Sequence, residues 1–308
     1  MKLVFLGTPD FAVPVLSNLV KAGYEIGYAV TQPDRKGNRG KMTRPPVKIL
    51  AEQYGIPVLQ PERLSKAEDV KNLLRAYKPD AMIVVAYGQI LKKDVLDIPK
   101  LGCFNVHASL LPKLRGASPI QHAILEGDKV TGVTLMKIDE GLDSGDMIAK
   151  CEISIGRKTA EQLSKDLSEA GASLLLQELP HIEDGTCTYE KQDSSKATYA
   201  GLISKKDGKI DFHQTAESSD CKIRAIYPWP GAFFDYGEKH VKIWSAEVLS
   251  GDSESVPGII KKADADGIDI TCGEGILRIL ELQLPGKRRV NAADFLRGHK
   301  LTKGMSIE

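Results

Sequence analysis

The sequence predicts an α/β protein in which a mostly parallel sheet with crossover helices is followed by a smaller C-terminal β-barrel. Three observations predict it. In the first half, short β-branched runs alternate with amphipathic stretches, as expected of strands joined through helices. From Asp184 to Lys205 the sequence turns polar and loses periodicity, which reads as a linker. Beyond Lys206, short alternating segments separated by glycine turns point to a small antiparallel barrel rather than further βαβ units. A Rossmann-like domain is therefore expected over 1–184, a linker over 185–205 and an OB-like barrel over 206–308. The length of 308 residues suits two domains, each able to bury a core.

Lys2–Leu6 reads as the first strand. Thr8 is expected to N-cap the next helix, with Pro9 at its first position and Gly23 ending it. Glu25–Thr31 is a second strand, Pro57–Leu59 a short third, Ala81–Tyr87 a fully buried central one and Cys103–His107 a fifth. A helix over about Ser118–Glu126 follows, then strands at Val133–Ile138 and Met147–Ile153 and a long helix over Ala160–Ile182. In the last third, a helix near Ala216–Tyr227 precedes strands at Val241–Val248, Gly258–Lys262, Gly267–Thr271 and Gly275–Leu284.

Basic and acidic residues nearly cancel, 42 against 41, which excludes a general polycation that coats nucleic acid or membrane by charge alone. A polyanion must then be met by a local patch. The five cysteines are scattered without a C-x-x-C pair, so buried free thiols in a reducing compartment are expected, with no metal site. The apolar N-terminal run is broken by Gly7, Pro9 and Asp10, and no later segment would span a bilayer. A cytoplasmic protein without a membrane partner is expected.

Gly7-Thr8-Pro9-Asp10 has one glycine where a dinucleotide site would carry G-x-G-x-x-G, so it reads as a capped helix start. Gln32–Lys48 gathers Arg35, Lys36, Arg39, Lys41, Arg44 and Lys48 against Asp34 alone. Charged loops are usually just solvated. This one, however, leaves the carboxyl end of a parallel strand, the edge where α/β sheets place ligands.

Asn105 and His107 stand two apart on a strand and so share a face. Asp143 lies in DEGLDSG, where glycines let a loop fold back over the site. The trio suits acyl transfer to an amine. Asn105 and a protonated His107 can donate to the oxyanion of a tetrahedral intermediate, while a carboxylate holds the imidazolium and helps the amine lose its proton. No nucleophilic side chain is needed, and G-x-S-x-G is absent. Equally, Asn105 and His107 could satisfy buried backbone groups at a strand end, and spacing alone leaves both readings open.

The stretches FLGTPDFAVPVL, TQPDRKGNRGK, VVAYGQIL, LGCFNVHASLLPKLRGASPIQ, TGVTLMKIDEGLDSGDMI and IRAIYPWPGA run from Phe5 to Ala232, and GEGIL near Gly275 extends the series. On these the chain resembles the methionyl-tRNA formyltransferase family. NVHxSLLPxxRG and GLDxGD are the motifs of formyltransferases that use formyl-tetrahydrofolate; the basic loop and PWPxA point to the tRNA branch. The resemblance implies formyl transfer from 10-formyltetrahydrofolate to the α-amine of methionine on initiator Met-tRNA, by a protein without a metal and acting as a monomer.

By position, the resemblance makes Asn105, His107 and Asp143 the catalytic trio and Ser109, Leu110, Leu111 and Pro112 a folate-binding turn. Tyr87, Gly88, Gln89, Ile90 and Leu91 would line the pterin pocket with backbone groups. The basic loop, with Arg35, Lys41, Arg44 and Arg39 above all, would meet the tRNA acceptor stem, and the barrel would hold more of the tRNA; acids and bases roughly balance there, so clustering of charge makes Lys205, Lys206 and Arg224 its candidates. Lys287 to Arg289 are either a further tRNA contact or a solvated turn. The basic loop departs from many relatives, which carry a proline after its first arginine, so which arginine discriminates is open. Formylation of a small amine such as a sugar nucleotide, a non-catalytic RNA- or folate-binding module, and a formyl-folate hydrolase are the competing readings.

Overall fold

The computed structural model describes residues 1–36, 42–251 and 256–307. Two compact units emerge, one made of Met1–Pro119, Val130–Ser154 and Ser164–Gly201, the other of Ile120–Lys129, Ile155–Leu163 and Leu202–Glu308.

The first unit opens with β1 (Lys2–Gly7), α1 (Val13–Lys21) and β2 (Glu25–Val30), then a two-residue hairpin of β3 (Arg35–Lys36) and β4 (Met42–Thr43) at the foot of the basic loop. After these come α2 (Pro46–Gln53), β5 (Val58–Leu59), α3 (Glu68–Tyr77), β6 (Ala81–Val85), α4 (Lys93–Leu96), β7 (Gly102–His107) and β8 (Arg115–Gly116). α5 (Pro119–Leu125), which from Ile120 on belongs to the second unit, leads to β9 (Val130–Lys137), β10 (Met147–Ser154), α6 (Ala160–Asp184), whose first turn also belongs to the second unit, and β11 (Tyr199–Ala200). The central sheet runs β10-β9-β7-β6-β1-β2-β5. Strands β7, β6, β1, β2 and β5 are parallel, while β9 and β10 each pair antiparallel.

Apolar side chains decide this order. Every residue of β6 is buried, which only a central strand covered on both faces allows. Around it Val4, Leu6, Val30, Leu64, Leu74, Met82, Val84, Leu91 and Val95 form one cluster. At roughly 25 cal/mol per Å² of buried apolar surface, such a cluster is the main favourable term in folding. Helix α3 joins it through Val70 and Leu74, one turn apart on the same face. Its buried Lys71 pairs with both Glu68 and Asp94.

Thr8 does not cap the first helix. A 3-10 turn at Asp10–Ala12 intervenes and α1 begins at Val13. The Thr8 hydroxyl instead donates to the Tyr87 carbonyl at 3.1 Å and accepts the Gln32 N–H at 3.2 Å. A cross-strand tie at the sheet edge has taken the oxygen that a local cap would use.

The polar stretch after α6 is irregular, yet its first part belongs to the first unit. β11 pairs in parallel with β8, Glu190 bridges Met147, and the Leu114 N–H donates to Thr198 Oγ1 at 2.9 Å. These contacts join residues far apart in the chain, which sequence periodicity cannot register.

In the second unit, α7 (Ala216–Ala225) precedes β12 (Ala232–Tyr236), β13 (Lys239–Leu249), β14 (Ile260–Asp264), β15 (Gly267–Thr271), β16 (Ile276–Gln283), β17 (Val290–Asn291) and α8 (Ala292–Gly298). The antiparallel sheet runs β12-β13-β16-β15-β14, with β17 on β16. Phe234, Val241, Ile243, Ile268, Ile270, Leu277, Ile279 and Leu282 fill its core. Arg278 and Asp269 are cross-strand partners, joined by two bonds of 2.7 and 2.9 Å. The short β12 and α8 carry too few periodic residues to stand out in the sequence.

Candidate active site

Asn105 and His107 end β7 beside β9, at the carboxyl edge of the parallel strands. The chain then turns through Ser109–Pro112. Thr134 on β9 fixes this turn, donating its hydroxyl to the Ser109 carbonyl at 2.7 Å and accepting the Leu111 N–H at 3.1 Å. The fixed turn lets the Leu114 carbonyl approach His107 Nε2 to 3.0 Å. A carbonyl accepts only, so Nε2 carries the proton and Nδ1 is the ring nitrogen left for the site. Nε2 thus satisfies a buried backbone carbonyl, and Nδ1 is turned to the other side of the ring.

Nδ1 faces Asp143. It lies 3.7 Å from Asp143 Oδ1, and Asn105 Nδ2 reaches the same oxygen at 3.5 Å. The imidazole is 6% exposed, so this pair sits where water screens little. Oδ2 of Asp143 accepts the Gly116 N–H at 2.8 Å. Asp143 itself has φ +47°, a left-handed conformation uncommon in a non-glycine residue, though aspartate tolerates it better than most. Gly145 is required by a close approach, since a Cβ there would stand 1.9 Å from the Lys137 carbonyl oxygen.

One residue at this site gave no signal in the sequence. Gln192, in the polar stretch after α6, donates from Nε2 to the carbonyls of Asp143 and Gly145, both at 2.8 Å. Its Oε1 accepts from Nε and Nη2 of buried Arg115 at 3.0 and 2.7 Å. Nothing in the local pattern around Gln192 marks it.

Of the residues expected at a folate turn, Ser109 and Leu111 are buried. The Ser109 hydroxyl donates to the Lys113 carbonyl at 2.6 Å, and Leu111 packs with Met136 and Met147. Leu110 and Pro112 are half-buried beside them. In the 87–91 segment, the Tyr87 ring and Leu91 belong to the core, and burial pushes the Tyr87 hydroxyl well above its ordinary pKa. The Gln89 amide ties this segment to Leu64, Pro61 and Glu62. Gly88 and Ile90 are exposed, leaving their backbone groups accessible.

The basic residues divide. Arg35 is exposed and donates to Gln32 Oε1 at 3.1 Å; Arg44 is exposed and paired with Glu52. Arg39 and Lys41 lie outside the described residues. Lys205 and Lys206 are exposed on a 3-10 turn capped by Ser204. Arg224 differs from the expectation: it is tied to Asp220 at 2.9 Å, to the Lys158 carbonyl and to Cys221 Sγ, with its side chain 14% exposed. Its charge is answered inside the fold, because Asp220 is buried and needs a cation.

Cys103 is buried in the core, and burial raises its thiol pKa above the ordinary value. Among the described residues no cluster of His, Cys, Asp or Glu could hold a metal ion, and no helix is long and apolar enough to cross a membrane.

The formyl transferase family matches residues 1–179, and its C-terminal domain matches 202–300. Methionyl-tRNA formyltransferase of Citrifermentans bemidjiense is 45% identical over 306 residues, 99% of this chain and 95% of that protein. The chain belongs to the methionyl-tRNA formyltransferase family. The Bacillus velezensis member is likewise 45% identical, with 98% of this chain and 96% of that protein covered. Among solved structures, WlaRD, a sugar 3N-formyl transferase determined in the presence of dTDP and 5-N-formyl-THF, superposes with a TM-score of 0.69. It shares 20% identity over 94% of this chain and 99% of that one, a likeness of fold.

Proposed function

We propose that the chain transfers the formyl group of 10-formyltetrahydrofolate to the α-amino group of methionine on initiator Met-tRNA, and that Asn105, His107 and Asp143 carry the chemistry. The observation that supports the reading most is the convergence of the Asn105 amide and His107 Nδ1 on one carboxylate oxygen, in a chain of this family.

The amine nitrogen attacks the formyl carbon, and the carbonyl electrons move onto oxygen. Asn105 Nδ2–H donates to that oxyanion. An imidazolium has N–H on both nitrogens, so His107 can keep its bond to the Leu114 carbonyl and present Nδ1–H to the site. Asp143 accepts the proton the amine releases. The carbonyl then re-forms, the bond to N10 of the folate breaks, and the proton ends on N10, giving formyl-methionyl-tRNA and tetrahydrofolate. Each group acts on charge that develops during reaction, which is where stabilisation accelerates a step.

The donor would lie along the turn at 109–112 and the exposed backbone of Gly88 and Ile90. The tRNA would be met by Arg35, Arg39, Lys41 and Arg44, with Lys205 and Lys206 holding more of it. Arg224 would act through the fold rather than by contact. The protein works as a cytoplasmic monomer.

The test offers Met-tRNA and free methionine to the enzyme with 10-formyltetrahydrofolate. Formyl-methionyl-tRNA should form in preference to formyl-methionine, with a KM for tRNA that rises with salt as phosphate contacts are screened. Equal formylation of the free amino acid, or a KM indifferent to salt, would overturn the proposal.

A further inference from the structure

We infer that Gln192 is a positioning residue for Asp143, an inference that rests on the formyl-transfer reading of the site. Its side-chain amide occupies all its hydrogen-bonding positions in one arrangement. Oε1 takes two N–H bonds from Arg115, and Nε2 gives two to the carbonyls of Asp143 and Gly145. A flipped amide would set N–H against the guanidinium and oxygen against the carbonyls, so the orientation is fixed.

The other end of the tie is firm. Arg115 is 5% exposed, and its backbone N–H donates to the Thr198 carbonyl at 2.8 Å. Gly116, the next residue, donates to Asp143 Oδ2. The β8 strand therefore holds Asp143 twice, by the carboxylate directly and by the main chain through Gln192.

Asp143 needs both holds. Residues 139–142 before it are exposed, so packing does little to fix the approach of the loop. A non-glycine residue at φ +47° persists where its surroundings over-determine it. Without Gln192 the main chain at 143–145 can relax, and Oδ1 leaves the point it shares between Asn105 and His107. The hydrogen bonds of Gln192 go to Arg115 and to the main chain at 143 and 145, not to those three reacting side chains, so it acts through the loop.

Gln192→Glu and Gln192→Leu in the full chain separate the two halves of the tie. The glutamate keeps an acceptor for Arg115 but has no N–H for the carbonyls at 143 and 145. Its kcat with Met-tRNA should fall about 10- to 100-fold from misplacement of Asp143, with the KM for formyl-folate held at its wild-type value and the thermal midpoint lowered less than in Gln192→Leu. Hydrogen exchange at the 143–145 amides should quicken. Gln192→Leu should show the same kcat loss and a lower midpoint still, because Arg115 is left buried without its acceptor.

Wild-type kcat and wild-type exchange in Gln192→Glu would overturn the inference. So would parallel losses of kcat, folate affinity and midpoint in both variants, the pattern of a merely structural residue. If the wild-type chain transferred no formyl group, the functional reading would fall by itself. Exchange at 143–145 would still decide the tie, quicker exchange in Gln192→Glu supporting it and unchanged exchange overturning it.

Discussion

The backbone N–H of Gly116 donates to Oδ2 of Asp143 across 2.8 Å, so one carboxylate oxygen is held by main chain while the other faces Asn105 and His107. Asp143→Asn should keep the Gly116 bond through its amide oxygen and lose the charge and the proton acceptor. We expect kcat to fall about 10²- to 10⁴-fold, in the range of a lost general base. The urea midpoint should barely move. Near wild-type turnover would remove Asp143 from the mechanism.

On the proposed mechanism His107 serves two purposes, and two substitutions separate them. His107→Ala leaves the Leu114 carbonyl without its donor in a buried setting, which should cost about 1–3 kcal/mol of stability besides activity. His107→Gln can restore a donor to that carbonyl and should recover stability more than turnover. Unchanged formyl transfer by His107→Ala would leave only the structural purpose.

At the foot of the basic loop, Lys48 Nζ donates to both oxygens of Asp34 at 2.9 and 2.8 Å, and Gln60 donates to Oδ1. The Lys48 bond first, then the Gln60 bond, holds the Asp34 carboxyl below its ordinary pKa of 3.8. A folded-state value below the unfolded one means the stability is present above about pH 4 and fades as pH falls towards the folded value. Urea midpoints of wild type and Asp34→Asn should therefore differ at pH 7, and the difference should shrink as pH falls below about 4. A constant difference would show that the charge of Asp34 contributes nothing.

Arg224 and the Lys205-Lys206 pair should separate cleanly. Arg224→Ala removes one of the two cations on buried Asp220, Arg157 being the other at 2.8 Å. It should lower stability by about 1–3 kcal/mol and leave the salt dependence of tRNA KM unchanged. Lys205→Ala and Lys206→Ala should leave the thermal midpoint alone and flatten that salt dependence by about one unit each. A flattened slope in Arg224→Ala alone would reverse the assignment.

Some of this was legible in the chain because it is local. A continuous apolar run placed the buried β6, and two-residue spacing put Asn105 and His107 on one face. The basic loop was visible as charge against a balanced background. Thr8 was misread because a hydroxyl after a strand looks like a cap until the Tyr87 carbonyl and the Gln32 N–H compete for it. The ion pair of Arg224 is not legible in the sequence, where it stands as a candidate tRNA contact, because nothing in the chain announces that Asp220 is buried.

By itself, then, the sequence determined the alternation of elements, the residue types of the site and, through its motifs, the family. Tertiary structure decided which nitrogen of His107 is left for chemistry, which oxygen of Asp143 faces it, and that Gln192 belongs to the site at all. The reason is sequence separation. Gln192 and Asp143 lie 49 residues apart, and Gly116 and Asp143 27 apart. No periodicity links such residues; the pairing of β8 with β11 and the bridge between Met147 and Glu190 bring them together.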